Sequence, residues 1–403
     1  MNNSNPEWIC CQLGAREHYA VARALHRHHA LQLLLTDAWV RPTNLLRRPI
    51  PSLRARFHAE LAAANVFAPT SANIAFELRA KLADLRDWQL IIARNDWFQK
   101  VAVARLSRMS PVNTQPTLMA YSYAALKIFK LARARGWRTV LGQIDPGPPE
   151  ERIVGRLYEE NAVHRGSWRP PPRRYWSNWR EECALADRIV VNSAWSQAAL
   201  MDEGVPAEKI KVVPLAYDEP KAIEAFRREY PSEFTPSRRL RVLFLGQINL
   251  RKGVGPLLDA IRLLRGEPIE FWFVGPIQIS VPSDLRDNPQ VRWVGPVSHE
   301  HTARFYHDAD IFLFPTFSDG FGLTQLEAQA WKLPIVATEF CGVVVDDGRN
   351  GWLLPEVTPC AIATTMRRCC ADPARLQELS ARSVLTERFS LASIGEQWLH
   401  TLE

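Results

Sequence analysis

The sequence predicts an α/β protein made of two doubly wound parallel-sheet domains that face each other across a cleft. The first observation is length, because 403 residues exceed one ordinary core and favour two domains. The second is a regular alternation of short apolar runs with longer mixed ones, which is typical of βαβ units. The third is a polar, proline-bounded stretch at 217–239 that is typical of a linker between two such sets.

Each domain is predicted from its own set of apolar runs. The first set predicts a helix over 123–136 and strands at 8–13, 31–37, 88–95, 117–122, 138–144, 188–193 and 211–216. The second set predicts a helical tail and strands at 241–246, 269–275, 291–295, 309–316, 334–338 and 351–355. The predicted organisation is an N-terminal domain over 1–218, a linker over 219–239, a C-terminal domain over 240–385, and a C-terminal helix over 386–403 that could return to the N-terminal domain.

Composition narrows the class of protein. The chain is 47% hydrophobic and 23% charged, as expected for a soluble globular protein. Its seven cysteines include no CxxC pair, which argues against a disulfide framework or a zinc site and favours a reducing cytoplasm. The start, "MNNSNPEWICCQ", lacks the pattern of a signal peptide, and no run of 18 apolar residues predicts a membrane span.

The net charge of +7 is concentrated in the first half of the chain. Residues 1–218 hold 30 Lys and Arg against 20 Asp and Glu. This balance predicts an anionic partner, such as phosphate groups or acidic lipid, although scattered solvated arginines would give the same count. No nucleic-acid-binding motif accompanies the basic half, so nucleic acid is not the expected partner.

A cationic loop comes after the first predicted strand of the second domain. In "LGQINLRKGVGPLLDAIRLL" (245–264), the strand ends at Gly246, and Arg251 and Lys252 stand directly before Gly253. An amphipathic helix then begins. Two cations before a helix N-terminus are suited to hold a diphosphate, although an exposed basic turn would show the same pattern.

The stretch "FSDGFGLTQLEAQAW" (317–331) places two carboxylates around a glycine-rich helix start. Asp319 precedes the glycines, and Glu327 lies on the stripe that carries Leu323, Leu326 and Ala330. A buried charge needs a partner, and Glu327 could accept two ribose hydroxyls while the backbone amides approach sugar or phosphate. The structural alternatives are that Asp319 is a helix N-cap and that Glu327 pairs with an Arg or Lys.

Together these motifs resemble the retaining glycosyltransferases of family four, the group 1 glycosyltransferases, which have the GT-B fold. The acid-x7-Glu spacing of Asp319 and Glu327 resembles that family's signature, and "WKLPIVATEFCGVVVDDGRNGWLLP" (331–355) resembles its continuation. "RVLFLGQINLRKGV" resembles the family's phosphate-binding strand and loop, and "LADRIVVNSAWSQAAL" with "KVVPLAYD" resembles the end of its N-terminal domain. The resemblance is strong over 183–218 and 241–358. It implies two Rossmann-like domains facing a central cleft.

The resemblance assigns the donor to the C-terminal domain. Glu327 would hold the nucleotide ribose, and Lys252 with Arg251 would neutralise the leaving diphosphate. Asp319 would hold the donor sugar with the helix start, which comprises Gly320, Phe321, Gly322, Leu323 and Thr324. The base would lie near the loops after the strands that end at 275 and 295. No metal ion and no cofactor other than the nucleotide-sugar substrate is implied.

The resemblance assigns the acceptor to the N-terminal domain, where the chain departs from the family. Gly14 occupies the position of the family's first loop, so Arg16 and His18 could touch an anionic acceptor, although a plain helix cap is the alternative. The family's histidine near the acceptor is replaced by Gln143 and Asp145, and Asp145 is the candidate for that role. In the C-terminal domain, Gln247 stands where the family often has Arg, and Asp319 stands where it usually has Glu.

The expected function is transfer of a sugar from a nucleotide-diphosphate sugar to a carbohydrate or lipid-linked acceptor, as in polysaccharide or glycolipid synthesis. The basic N-terminal half and the basic, aromatic stretch "GSWRPPPRRYWSNWREE" (166–182) predict peripheral contact with an anionic membrane surface. Two alternatives remain open: a nucleotide-sugar epimerase on the same fold, and a catalytically silent protein that binds nucleotide or carbohydrate.

Overall fold

The computed structural model describes residues 7–44, 50, 53–109, 115–161, 163, 168–219, 223 and 226–403. Over these residues the chain forms two parallel sheets. Each sheet is covered by helices, and the two domains meet along the carboxyl ends of their strands. Parts of the predicted linker, 220–222 and 224–225, and the first two residues of the basic stretch 166–182 lie outside the described residues.

The N-terminal sheet has seven parallel strands in the order β3-β2-β1-β4-β5-β6-β7. The strands are β1 Trp8–Gln12, β2 Leu31–Thr36, β3 Val66–Phe67, β4 Thr117–Tyr121, β5 Arg138–Gly142, β6 Arg188–Val191 and β7 Ile210–Val212. The helices are α1 Ala20–Arg27, α2 Thr70–Leu82, α3 Asp87–Ser107, α4 Leu126–Ala134, α5 Pro148–Glu160, α6 Arg173–Leu185 and α7 Ala194–Asp202. The central strands β1 and β4 are buried along their whole length, as parallel strands covered on both faces require.

The C-terminal sheet has six parallel strands in the order β10-β9-β8-β11-β12-β13. The strands are β8 Leu240–Leu245, β9 Ile269–Val274, β10 Val291–Gly295, β11 Ile311–Phe314, β12 Ile335–Ala337 and β13 Gly351–Leu353. The helices are α8 Val254–Leu263, α9 Ser283–Arg286, α10 Ala303–Asp308, α11 Thr324–Ala330, α12 Pro359–Ala371, α13 Pro373–Arg382 and α14 Leu391–Leu399. Both sheets therefore have the doubly wound order that the sequence predicts, with the order reversing beside β1 and β8.

The strand predicted at 88–95 is wrong, because these residues belong to the 21-residue helix α3. A short apolar run cannot distinguish a strand from a buried helix segment by itself. The residues after this run favour the helix, since Phe98, Ala102 and Leu106 recur at spacings of four and are buried in the N-terminal core.

The last helix, α14, lies on the N-terminal domain although it comes after the C-terminal domain in the chain. Trp398 packs edge-on against Trp8 of β1, with 6.2 Å between ring centroids. A Cβ on Gly395 would lie 2.7 Å from the His28 ring, so this helix approaches the end of α1 closely. The chain therefore crosses between the domains twice.

Among the described helices, none combines the length and the apolar character that crossing a membrane requires.

Candidate functional site

A cleft of about 710 Å³ separates the two domains at the carboxyl ends of their strands. Residues 13–17, which come after β1, line its N-terminal wall together with Arg56 and Ile144. Its C-terminal wall is formed by residues after β8 and β11, namely Gly246, Gln247, Arg251, Lys252, Asp319 and 321–324. Ligands of doubly wound sheets bind at this edge, beside the point where the strand order reverses.

The cationic loop is held rigidly against the neighbouring strand. The Asn249 side chain accepts a hydrogen bond from the Lys252 backbone N–H at 3.1 Å, which caps a single 3-10 turn over Leu250–Lys252. Gly253 then takes a left-handed conformation with φ 74°, and a Cβ there would collide with the Pro315 carbonyl. Backbone geometry thus fixes both cations of this loop at the cleft.

Lys252 is a buried cation with an anionic partner. Its Nζ forms an ion pair with Asp319 and lies 4.5 Å from the centroid of the Phe314 ring. Burial, and secondly the nearby Arg251 guanidinium, lower the pKa of Lys252 well below its usual value. A bound anion would oppose both effects and raise the pKa of Lys252 again, so this lysine is suited to bind a negatively charged ligand.

The glycine-rich segment before α11 is ordered by Asp319. The Asp319 Oδ1 accepts a hydrogen bond from the Phe321 N–H at 3.2 Å. Gly322 has φ 82°, and a Cβ there would lie 2.6 Å from the Phe314 ring. Helix α11 itself begins without a side-chain cap, so the predicted N-cap alternative for Asp319 is wrong. Asp319 instead fixes the turn before the helix and pairs with Lys252.

Glu327 lies in α11 and is 7% exposed. It accepts a hydrogen bond from the Tyr306 hydroxyl at 2.6 Å. Burial, and secondly the charge of Glu327, raise the pKa of Tyr306. Glu327 is not among the residues that line the cleft volume, but Leu323 and Thr324, one turn before it, are. A tyrosine hydroxyl is thus one partner that makes this carboxylate tolerable on an apolar helix face.

The N-terminal wall is a strained loop. Glu17, His18 and Tyr19 are three successive non-glycine residues with left-handed φ values of 51°, 49° and 62°. Such conformations cost roughly 1–3 kcal/mol each and persist where the surroundings enforce them. Here the Gln12 side chain donates hydrogen bonds of 2.9 and 3.1 Å to two backbone carbonyls at the start of this loop.

Three residues of this wall have ionisable side chains, and one of them, Arg56, forms an ion pair with Asp37 at 3.2 Å. Arg16 lies over the Tyr121 ring, 5.5 Å from its centroid, and Glu17 accepts a long hydrogen bond, 3.5 Å, from the Tyr121 hydroxyl. Burial raises the pKa of Glu17, while Arg16 opposes that shift. Gly14 and Arg16 both line the cleft, whereas His18 is not among its lining residues.

Asp145 is held within the N-terminal domain. It accepts hydrogen bonds from the Tyr123 hydroxyl, from the Gly147 N–H at 2.9 Å and from the Gln143 amide at 3.2 Å. Gln143 is itself buried. Ile144, rather than Asp145, contributes to the cleft wall. In this arrangement Asp145 and Gln143 form a network behind the wall.

A polar contact joins the two domains beside the cleft and was not predicted from the sequence. Glu150, in the first turn of α5, accepts a hydrogen bond from the Ser318 hydroxyl at 2.8 Å and lies 3.3 Å from Arg251 Nη1. The Trp195 indole donates to the same Ser318 oxygen at 3.0 Å. Burial raises the pKa of Glu150, and Arg251 opposes that shift.

Gly320 belongs to this interdomain contact rather than to the cleft wall. A Cβ at Gly320 would collide with the Ile144 carbonyl oxygen, so the backbones of the two domains touch directly beside Asp319. The sequence does contain a signal for helix α5, which carries Glu150, in "PGPPEE" (146–151). Its prolines mark the first positions of α5 and place Glu150 in the first turn.

Comparison with known proteins identifies a family and several relatives that this chain resembles. Residues 239–372 match the family model described as Glycosyl transferases group 1. A D-inositol 3-phosphate glycosyltransferase from Corynebacterium kroppenstedtii is 30% identical over 262 residues, which are 59% of this chain and 57% of that protein. An amylovoran biosynthesis glycosyltransferase from Erwinia amylovora is 27% identical over 53% of this chain and 55% of that protein. The chain thus spans little more than half the length of these relatives.

The fold is shared with solved structures over nearly all of the chain. The crystal structure of Anabaena Alr3699/HepE, in complex with UDP and glucose, superposes with a TM-score of 0.63 at 16% identity and covers 98% of this chain and 99% of that one. The resemblance to group 1 glycosyltransferases and the GT-B arrangement of the two domains, both predicted from the motifs, are confirmed.

Proposed function

We propose that this chain, a group 1 glycosyltransferase relative with the GT-B fold, transfers a sugar from a nucleotide-diphosphate sugar to a carbohydrate or lipid-linked acceptor with retention of configuration. The observation that carries the proposal is the convergence of Arg251, Lys252 and Asp319 with the glycine-rich start of α11 on one wall of the interdomain cleft. Arg251 and Lys252 offer positive charge, and the start of α11 offers backbone amides at the same place, as a diphosphate sugar requires.

The proposed catalytic effect is electrostatic. Negative charge grows on the diphosphate as its bond to the sugar breaks, and cations already in place stabilise that charge without reorganisation. Lys252 and Arg251 would supply this stabilisation without a metal ion. The N-terminus of α11, at Leu323 and Thr324, would add a partial positive charge.

The sugar of the donor would bind at the turn before α11. Asp319 would exchange part of its contact with Lys252 for hydroxyls of the donor sugar, next to the backbone amides of Phe321 and Gly322. This exchange leaves neither group without a partner, because the diphosphate would pair with the lysine and the sugar hydroxyls would donate hydrogen bonds to the Asp319 carboxylate.

The nucleoside of the donor would bind further along α11. Glu327 would accept the ribose hydroxyls in addition to its hydrogen bond from Tyr306. A uridine nucleotide is the first base to test, since the Anabaena neighbour is described with UDP and glucose.

The acceptor would bind at the strained loop of the N-terminal wall. Gly14 and Arg16 line the cleft opposite the cations, and Arg16 favours an acceptor with negative charge. Two relatives are named for D-inositol 3-phosphate and for amylovoran biosynthesis, which supports a phosphorylated or polysaccharide acceptor. A lipid-linked acceptor would bring the protein to the inner face of a membrane as a peripheral protein.

The test is a turnover assay with UDP-, GDP- and ADP-sugars, with and without a mixture of phosphorylated polyol, oligosaccharide and lipid-linked acceptors. We expect release of nucleoside diphosphate that depends on the acceptor and falls at least about a hundredfold in Lys252→Met, because one charge contact in such a site contributes about 2.7–4 kcal/mol. Conversion of the donor without any acceptor would indicate an epimerase instead. Nucleotide binding without turnover would indicate a silent binding protein.

A further inference from the structure

We propose that the tip of the helical pair α2 and α3 is a docking surface for an anionic lipid bilayer. We call this surface the hairpin tip, and it consists of Leu78, Leu82, Ile91 and Ile92 with the neighbouring cations Arg79, Lys81, Arg169, Arg173 and Arg174. The inference deepens the proposed function, on whose peripheral membrane contact it rests, by naming the surface that makes the contact. It concerns a face of the N-terminal domain outside the cleft and is tested without any sugar substrate, so its failure would leave the proposed reaction untouched.

The apolar part of the hairpin tip is unusually exposed. Leu78 and Leu82 are 58% and 87% exposed, and Ile91 and Ile92 are 40% and 37% exposed. These four side chains come from a single stretch of 15 residues, whereas the other exposed large apolar side chains of the described residues are scattered along the chain. Clustered exposure of this kind marks an interaction surface, but single exposed leucines do not.

Two side-chain contacts between the helices place the four residues at the same end of the helical pair. Glu77 on α2 accepts two hydrogen bonds of 2.6 Å from Arg94 on α3. The Phe76 and Trp97 rings stack with 5.3 Å between their centroids. These contacts lie near the middle of each helix, and all four aliphatic residues come from the stretch of chain between them, which forms the outer end of the pair.

The position of α2 keeps this cluster on the surface. Of its 13 residues only Ala80 is fully buried, so the helix stands out from the domain. Leu78 and Leu82 are one turn apart at its end, and Ile91 and Ile92 lie in the first two turns of α3. The tip is therefore an apolar edge that solvent reaches from several sides.

Cations without an acidic partner among the described residues surround these apolar side chains. Arg79 and Lys81 are exposed and alternate with the leucines along α2. The acidic Asp84 at the tip pairs with Arg86. The exposed Asp87 is outnumbered by the cations, so the tip as a whole is positive.

A second cationic segment is attached to the same tip. The Trp88 indole donates a hydrogen bond to the Arg169 carbonyl at 2.8 Å, and its ring packs against Tyr175 at 4.9 Å. Trp88 precedes Ile91 and Ile92 by three and four positions, so it lies on their side of α3. Arg169 is therefore next to the tip, and Arg173 and Arg174 directly precede Tyr175 in the chain. All three arginines are exposed, and within the described parts of the chain they form no ion pair.

The combination fits a bilayer better than other anionic partners. Exposed leucine and isoleucine side chains gain by entering the boundary between headgroups and acyl chains, and the surrounding cations bind anionic headgroups. Nucleic acid would engage the arginines and leave the four aliphatic side chains without a partner. A purely electrostatic contact would not explain why the aliphatic side chains are concentrated at the tip.

The test is flotation of the full chain with vesicles of phosphatidylcholine alone or with about 30% phosphatidylglycerol, at low and physiological ionic strength. We expect binding to the anionic vesicles that persists at physiological salt. The double variant Leu82→Asp with Ile91→Asp is expected to lower the bound fraction at least about tenfold. Arg79→Gln with Lys81→Gln is expected to weaken binding and to reduce its dependence on salt.

The matched control is Leu263→Asp on α8, because Leu263 is a 49% exposed leucine in the other domain. It should bind vesicles as the unchanged protein does, and all variants should unfold at the same temperature since the substituted side chains are on the surface. Absence of binding at low salt, or equal loss with Leu263→Asp, would overturn the proposal. If the unchanged protein does not bind vesicles but self-associates, and the tip variants abolish that self-association, a second copy of the chain covers this surface instead.

Discussion

Replacing Glu150 by alanine should open the cleft and weaken binding of a nucleoside diphosphate. The Glu150 carboxylate joins the domains through Ser318 at 2.8 Å and Arg251 at 3.3 Å, and the Glu150 and Arg251 side chains are 16% and 21% exposed. Hydrogen bonds to charged groups contribute about 1.5–3 kcal/mol. If the arrangement in which the two domains are in contact loses about 2 kcal/mol of stability, its equilibrium with an open arrangement shifts by a factor of about 30.

The assay is calorimetric titration with the nucleoside diphosphate that binds best, combined with small-angle X-ray scattering of the free protein. We expect a dissociation constant raised by between about tenfold and thirtyfold and a larger radius of gyration. Glu150→Gln keeps an acceptor for the Ser318 hydroxyl, so its dissociation constant should lie between those of the unchanged protein and Glu150→Ala. Glu160→Ala, an exposed glutamate on the same helix, is the control. If Glu150→Ala matches this control in both measurements, the contact does not govern closure.

Three further predictions concern single side chains. Gly320→Ala should abolish tight nucleotide binding while each domain stays folded, because the new Cβ would collide with the Ile144 carbonyl of the other domain. The control is Gly255→Ala, whose Cβ would meet only ordinary contacts at 3.6 Å or more and should not affect binding. Titration calorimetry compares the nucleotide affinities of the two variants. Glu327→Ala should raise the dissociation constant for nucleoside diphosphates about tenfold or more without lowering the affinity for inorganic pyrophosphate, which has no ribose; equal losses for both ligands would reject a ribose contact. The Glu182 carboxylate of α6 is buried and accepts hydrogen bonds from three backbone N–H groups at 2.7, 2.9 and 3.0 Å. Burial outweighs these bonds and raises the pKa of Glu182 from 4.5 to about 7, so the folded state holds a proton that the unfolded state releases between these pH values. The free energy of unfolding should therefore fall by up to about 3 kcal/mol as pH rises through that window, and urea titrations should show a flatter pH dependence in Glu182→Gln.

The alternation of apolar runs was sufficient to predict the fold because parallel strands buried on both faces leave a strong local pattern. Two exceptions show the limit of that pattern. The strand β3 was not predicted, because its two residues are too few to give an apolar run. At 88–95, "WQLIIARN" is apolar enough for a strand, and only the later residues Phe98, Ala102 and Leu106 identify the helix. The motifs also predicted that Arg251 and Lys252 share one wall, since both precede a helix at the end of a strand.

Contacts between the domains could not be predicted in the same way. The pairing of Glu150 with Arg251 and the touching backbones at Gly320 depend on how two separately folded units meet, and no local spacing encodes that. The strain in residues 17–19 is also invisible in sequence, because Glu, His and Tyr rarely adopt left-handed conformations and none of them signals one. The contact of Glu327 with Tyr306 was missed because that tyrosine comes from a different helix.

The proposed reaction depends above all on a diphosphate site formed by Arg251 and Lys252 in the cleft. The most direct measurement is a thermal-unfolding panel with UDP, GDP and ADP on the unchanged protein and on Lys252→Met. A ligand at about a hundred times its dissociation constant stabilises the folded state by about 2.7 kcal/mol, which is a clear rise in the unfolding midpoint. We expect this rise with one nucleoside diphosphate and its loss in Lys252→Met. No rise with any of the three, or an equal rise in the variant, would contradict the claim.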